Sequence, residues 1–259
     1  MTVSRDDIDI HVRQDGPGDA PALLLIHGTA MSGRSWDPMV PLLTGSHHVI
    51  RLDLPGCGQS AAPDGASYAV PDQARRVGAA LDRLDVEHLT AVGHSSGGVF
   101  ATALAEQRPD LVTALALINT GPGMAAYIAT DAPLQAASWA ELTDDQIRHA
   151  ISDGFRPGYE IPSWIVDQAR DVDLAVFGAI SEAIRAYLNE RTLPARLAPL
   201  GKPLLVLFGD EDRRWRPSSA SDYLAVPDAS VEMLPGAGHS PNIEDPPRTA
   251  TSLLAFTAF

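Results

Sequence analysis

Short apolar runs recur along this chain with helical patterns between them. Ala22 to Ile26, Val49 to Leu52, His88 to Val92, Leu115 to Ile118, Leu204 to Phe208 and Val231 to Leu234 read as strands. Several are apolar without alternation, the pattern of a strand covered on both faces. Between them, Ala74, Val77, Leu81 and Leu84 follow helical spacing after Pro71, and Val99 to Arg108 reads as a helix stopped by Pro109. This rhythm predicts an α/β fold on a mostly parallel, doubly wound sheet. Ile8, Ile10 and Val12 alternate with polar neighbours and predict an antiparallel strand at the sheet edge.

The rhythm breaks after Ile118-Asn119-Thr120-Gly121-Pro122 and resumes near Pro203, with helical signals alone in between. The chain therefore divides into a first core part at 1–121, an inserted helical lid at 122–200 and a second core part at 201–259. Within the insertion, Thr143-Asp144-Asp145-Gln146 is a capping box that starts one helix, and Gly154 is placed to end it. Pro162 can open a second helix, and Asp173 to Asn189 reads as a third.

Composition narrows the choice of partners. A formal net charge of −14 repels phosphate backbones and anionic lipid, so nucleic acid and membrane surfaces fit poorly and a small molecule remains the natural partner. The single cysteine, Cys57, excludes an internal disulfide, and no run approaches the ~18 apolar residues of a spanning helix. Acidic residues follow Met1 where a signal peptide would be basic and then apolar, so the expected location is cytoplasmic. Nothing in the pattern speaks to oligomeric state.

The chemistry centres on Gly93-His94-Ser95-Ser96-Gly97, which follows a strand-like run and opens a helix-like one. A Gly-x-Ser-x-Gly match alone arises by chance in roughly one chain of this size in ten, so its context carries the signal. A serine on a sharp strand-to-helix turn needs neighbours without bulk two positions before and after, and Gly93 and Gly97 meet that demand. Its hydroxyl is a weak nucleophile unless a histidine takes the proton and a carboxylate orients that histidine. His239 lies in the loop Pro235-Gly236-Ala237-Gly238-His239 after the last strand-like run, and Asp212 follows the run before it. Asp210 and Glu211 adjoin Asp212 and leave the register of the acid open. His94 reads as a packed or hydrogen-bonded residue, and Asp53-Leu54-Pro55-Gly56 as a structural turn.

The chain resembles the α/β-hydrolase fold superfamily, in its lid-bearing serine esterase and haloperoxidase-like branch. The resemblance rests on His27-Gly28-Thr29, on Asp53-Leu54-Pro55-Gly56-Cys57-Gly58-Gln59-Ser60, on the Ser95 turn, on Gly209 to Asp212, and on Gly238-His239 followed by Glu244-Asp245-Pro246. It covers most of the chain outside the insertion. It implies Ser95 as nucleophile, His239 as general base and then acid, and Asp212 as the orienting carboxylate. Some members place the acid after the strand that precedes the lid, where this chain has Asn119. The resemblance also implies that the backbone N–H groups of Thr29 and Ser96 form the oxyanion hole.

The expected reaction is hydrolysis of a carboxylic ester, thioester or lactone, with no metal or organic cofactor. Dehalogenases and epoxide hydrolases of this fold use an aspartate where Ser95 stands. A carbon–carbon bond hydrolase, a natural-product cyclase or acyltransferase, and a ligand receptor of the same fold stay open. Arg213, Arg214 and Arg216 around Trp215 either hold a substrate carboxylate or phosphate or pair with surface carboxylates. Tyr127, Trp139, Phe155, Tyr159, Trp164, Phe177 and Tyr187 concentrate aromatic rings in the insertion, some to pack its helices and some to favour a bulky apolar substrate.

Overall fold

Leu23, Leu24, Leu25 and Ile26 are all inaccessible to solvent, and their side chains divide between two separate apolar layers. That is what an apolar run without alternation becomes in a sheet covered on both faces. The computed structural model describes residues 10–62, 65, 67–129 and 139–258. Among these, β1 (Val12–Asp15), β2 (Ala22–Ile26), β3 (His48–Leu52), β4 (Leu89–His94), β5 (Val112–Ile118), β6 (Leu204–Gly209) and β7 (Ser230–Leu234) form one sheet in the order β1-β3-β2-β4-β5-β6-β7. β1 is antiparallel to β3 and every other pairing is parallel.

The helices are α1 (Val40–Leu43), α2 (Val70–Asp82), α3 (Ser96–Gln107), α4 (Asp144–Ala150), α5 (Ser163–Arg170), α6 (Leu174–Glu190), α7 (Leu193–Leu197), α8 (Pro241–Glu244) and α9 (Pro246–Phe256). Leu24 and Ile26 face the layer built with α2 and α3, including Val77, Leu81, Phe100 and Leu104. Leu23 and Leu25 face the other layer, with Trp36, Met39, Leu43 and Leu253. The sheet is thus doubly wound, as the periodicity predicts. The edge strand begins where the alternation ends: Val12 opens it, Ile10 is buried just before it, and Ile8 lies outside the described residues.

The segment between β5 and β6 carries α4 to α7 and short 3-10 turns. Thr143 caps α4 with its hydroxyl on the Gln146 N–H, and the Gln146 side chain accepts the Thr143 N–H at 2.9 Å. The helix stops at Ala150, short of Gly154, because the chain tightens into a 3-10 turn at Ser152–Gly154. Pro162 precedes α5, and the Asp173 carboxylate caps α6. Trp139, Ile147, Phe155, Ile165 and Val166 form a small apolar cluster of their own, which Ile243 of α8 joins from the other side.

Candidate active site

Strand order determines which loops meet. The chain moves from β2 outward to β3 and then back to β4 on the other flank of β2, so the loops after β2 and β4 diverge above neighbouring strands. Such a switch point is where ligands bind in open α/β sheets. Ile26 is in register with Gly93, which brings Gly28 and Thr29 beside Ser95 and Ser96. The ends of β5, β6 and β7 follow in order and deliver Asn119, Asp212 and His239.

Ser95 occupies the turn between β4 and α3 with φ +54° and ψ −124°, a conformation that strains any residue bearing a Cβ. Surrounding bonds hold it there: the Ser95 N–H donates to the Ile118 carbonyl at 2.8 Å, and the Thr120 hydroxyl donates to the Ser95 carbonyl at 2.8 Å. The turn also needs close backbone approach. A Cβ on Gly93 would fall on the Gly98 amide nitrogen, and one on Gly97 would fall on the Ile26 carbonyl.

Ser95 Oγ lies 2.9 Å from His239 Nε2, and His239 Nδ1 lies 2.9 Å from Asp212 Oδ2. The carboxylate can only accept, so Nδ1 carries the proton and Nε2 is free to accept from the serine hydroxyl. Asp212 is fully buried and every lone-pair direction is used: Oδ2 also accepts from Asn119 Nδ2 at 2.7 Å, while Oδ1 accepts the Arg214 N–H at 2.7 Å and the Trp215 N–H at 3.1 Å. Burial alone would raise this carboxyl, but the His239 ring, its hydrogen bond, Asn119 and the Arg214 N–H outweigh burial and hold it below the usual carboxylate range. Asp210 and Glu211 are exposed, and Asp210 caps the next loop by accepting the Gly236 N–H. The register left open by three adjacent acids is therefore resolved at the level of contact: Asp212 alone of them reaches His239.

Thr29 and Ser96 stand side by side, with the Thr29 hydroxyl donating to Ser96 Oγ at 2.7 Å. Among the described residues, neither backbone N–H is taken by a hydrogen bond within the protein. Two nearby histidines are structural. His27 Nε2 accepts the Leu54 N–H at 3.0 Å, so its Nδ1–H donates to the Gly28 carbonyl at 2.8 Å and fixes the loop that carries Thr29. His94 Nε2–H donates to the His239 carbonyl at 2.9 Å and its ring lies 5.3 Å from that of His239. Burial first, and then the neighbouring His239, push the His94 imidazole down to about 3, so it stays neutral.

Two positioning residues are visible only in three dimensions. Asn119, at the end of β5, braces Asp212, donates to the Gly238 carbonyl at 3.1 Å and accepts the Gly209 N–H at 3.2 Å. Glu244 grips the His239 loop on both sides, accepting the Gly238 N–H and the Ser240 N–H at 2.9 Å each, and also takes the Arg156 N–H at 3.1 Å. Their sequence signals were slight: an amide at a strand end, and an acid five positions after His239.

A cavity of about 700 Å³ opens above Ser95, Ser96, His239 and Thr29. Of the seven aromatic residues singled out in the insertion, Tyr127, Trp139, Phe155 and Phe177 line it. Tyr159 instead stacks on Phe155 from outside, and Tyr187 packs under the Arg196 guanidinium with its hydroxyl on Glu106. Arg214 lines the cavity and pairs with Asp153 at 3.1 Å, while Arg216 donates to the Ala125 carbonyl. Among the described residues, no cluster of three or more His, Cys, Asp or Glu side chains is placed to hold a metal ion, and no helix is long and apolar enough to cross a membrane.

A family model described as the alpha/beta hydrolase fold matches residues 21–162. The chain belongs to the α/β-hydrolase fold family. A relative named putative carbamate hydrolase RutD, from Variovorax paradoxus, is 31% identical over 96% of this chain and 96% of its own length. Another, a putative 2-succinyl-6-hydroxy-2,4-cyclohexadiene-1-carboxylate synthase from Bacillus subtilis, is 25% identical over 95% of this chain and 93% of its own. Among solved structures, a putative lipase from Acinetobacter baumannii superposes with a TM-score of 0.85 at 22% identity, covering 99% of this chain and 89% of that one. That likeness is one of fold.

Proposed function

We propose that this α/β-hydrolase is a serine hydrolase that cleaves a carboxylic ester, thioester or lactone through an acyl-enzyme on Ser95. The observation that carries the reading is the unbroken chain from Ser95 Oγ through His239 to a buried, fully hydrogen-bonded Asp212. In this reading His239 Nε2 takes the Ser95 proton as the oxygen attacks the carbonyl carbon. The same proton passes to the leaving group as the acyl bond breaks, and His239 then activates the water that frees the acid. Asp212 keeps the proton on Nδ1 and stabilises the imidazolium formed in each step.

The free N–H groups of Thr29 and Ser96 support a place for the carbonyl oxygen as it gains negative charge, and α3 presents its N-terminus from the same side. Helices α4 to α6 close the cavity as a lid, and the apolar surfaces of Met31, Val99, Ile165 and Phe177 favour an apolar acyl or ring group. A carbamate carbonyl is open to the same attack, and the RutD-named relatives make a carbamate a necessary member of any substrate panel.

Intact-mass spectrometry after exposure to a small fluorophosphonate tests the reading without assuming a substrate. One adduct on the wild type and none on Ser95→Ala is the expected result. Labelling that is equal in both proteins, or absent from both, would overturn Ser95 as an activated nucleophile.

A further inference from the structure

One wall of the cavity departs from its apolar character. Arg214, Asp153, Tyr127 and Arg185 meet there. Arg214 Nη1 donates to Asp153 Oδ1 at 3.1 Å and Nη2 donates to the Tyr127 hydroxyl at 3.2 Å. Among the described residues these are the hydrogen bonds of its side chain, so two of the five N–H donors of a guanidinium are engaged. The Arg214 side chain is 31% exposed on the wall of a largely apolar cavity, and a planar anion is the natural complement of its remaining donors.

Ring packing braces the corner. The Tyr127 ring is held edge-on to Trp215 with centroids 5.0 Å apart, and the Arg185 guanidinium lies 5.3 Å from the same ring. Tyr127 and Trp215 also pair through their backbones. The backbone N–H groups of Arg214 and Trp215 both donate to Asp212 Oδ1, so Asp212 and the backbone of Arg214 are held by one turn from Asp212 to Trp215. Arg214 thus lines the same cavity as Ser95 and His239, on the turn that also carries Asp212.

From this corner we infer that the substrate is an ester carrying a free carboxylate on its acyl side, which takes the remaining Arg214 donors while the scissile carbonyl sits at Ser95. The inference rests on the serine-hydrolase reading of the same site. A carboxylate is planar and accepts two parallel N–H bonds from a guanidinium, whereas a neutral chain end would leave those donors unmet. The chain as a whole is strongly negative and repels anions at a distance, so recognition acts through contact at Arg214 rather than through steering.

The test compares the mono-para-nitrophenyl ester of adipic acid with para-nitrophenyl hexanoate, which has the same chain length and no carboxylate. Wild-type kcat/KM should favour the adipate ester by roughly tenfold or more, the scale of one charge-assisted hydrogen bond. Arg214→Met should erase that ratio, and Asp153→Asn, which removes the competing carboxylate, should raise it. Calorimetric titration of Ser95→Ala with monomethyl adipate and dimethyl adipate reads the same preference without turnover. Ser95-dependent hydrolysis of both esters with equal kcat/KM would sink the carboxylate inference and leave the hydrolase reading standing. If neither ester is cleaved, equal binding of the two adipates sinks it, and tighter binding of the monomethyl ester that Arg214→Met abolishes sustains it.

Discussion

Asn119 Nδ2 and His239 Nδ1 share one acceptor, Asp212 Oδ2, at 2.7 and 2.9 Å. The amide does for the acid what the acid does for the imidazole: it fixes orientation by occupying the alternative lone pair. Asn119→Ala leaves a buried carboxylate short of one donor and frees the Gly209 N–H and the Gly238 carbonyl. Loss of a hydrogen bond to a charged group weighs about 1.5–3 kcal/mol, so kcat/KM should fall by roughly ten- to a hundredfold. Steady-state kinetics on a chromogenic ester checks this, and an unchanged kcat/KM would assign Asn119 to folding alone.

The three consecutive acids offer a sharper contrast. Asp212→Asn keeps the shape but presents an N–H or a weak acceptor to His239, favouring the wrong tautomer, and kcat should drop about 10⁴-fold. Asp210→Asn touches only the exposed turn at Gly236 and should leave kcat within about twofold, as surface substitutions do. Comparable losses in the two variants would contradict the arrangement.

Much of this was legible in the chain because the signals are local. Strands covered on both faces print as apolar runs, and the Ser95 turn prints its glycines, since Gly93 and Gly97 must pass within backbone contact of Gly98 and Ile26. Thr143 and Asp173 announce helix starts by their own chemistry. What stayed hidden depends on partners distant in sequence. Asn119 read only as the lack of an acid, because its target lies 93 positions away. Phe177 and Tyr187 belong to one helix, α6, yet one lines the cavity and the other meets Glu106. Their helical phase alone does not say which side the sheet will occupy.

Backbone strain at Ser95 separates two substitutions that both abolish the nucleophile. Ser95→Ala keeps the Cβ at φ +54°, whereas Ser95→Gly removes it. Release of strain of about 1–3 kcal/mol is partly offset by the extra freedom of glycine in the unfolded chain, about 0.5–1 kcal/mol, so Ser95→Gly should be the more stable by roughly 1 kcal/mol. Denaturant unfolding of the pair gives the difference directly. A more stable Ser95→Ala would mean that the turn is unstrained.

Acid should weaken the fold well before the carboxylates titrate, and His94 is the reason. Its folded value is depressed to about 3, while in the unfolded chain it returns to about 6.5. Below pH ~6.5 the unfolded state binds a proton that the folded state refuses, so stability is complete above that pH and declines as pH falls toward about 3. By pH 5 the loss from this one group is about 2 kcal/mol. His27, also depressed by burial, adds to the decline in the same direction. Asp212 acts in a lower window: its folded value lies below the unfolded one, so its contribution is kept above the ordinary carboxylate range and lost only as pH drops through the folded value. His94→Gln can still donate to the His239 carbonyl but has no proton to gain. Urea unfolding at pH 5 and pH 7 should show a smaller difference for His94→Gln than for the wild type, by about 2 kcal/mol. Equal pH differences in the two proteins would show that His94 is protonated, or solvated, in the folded state.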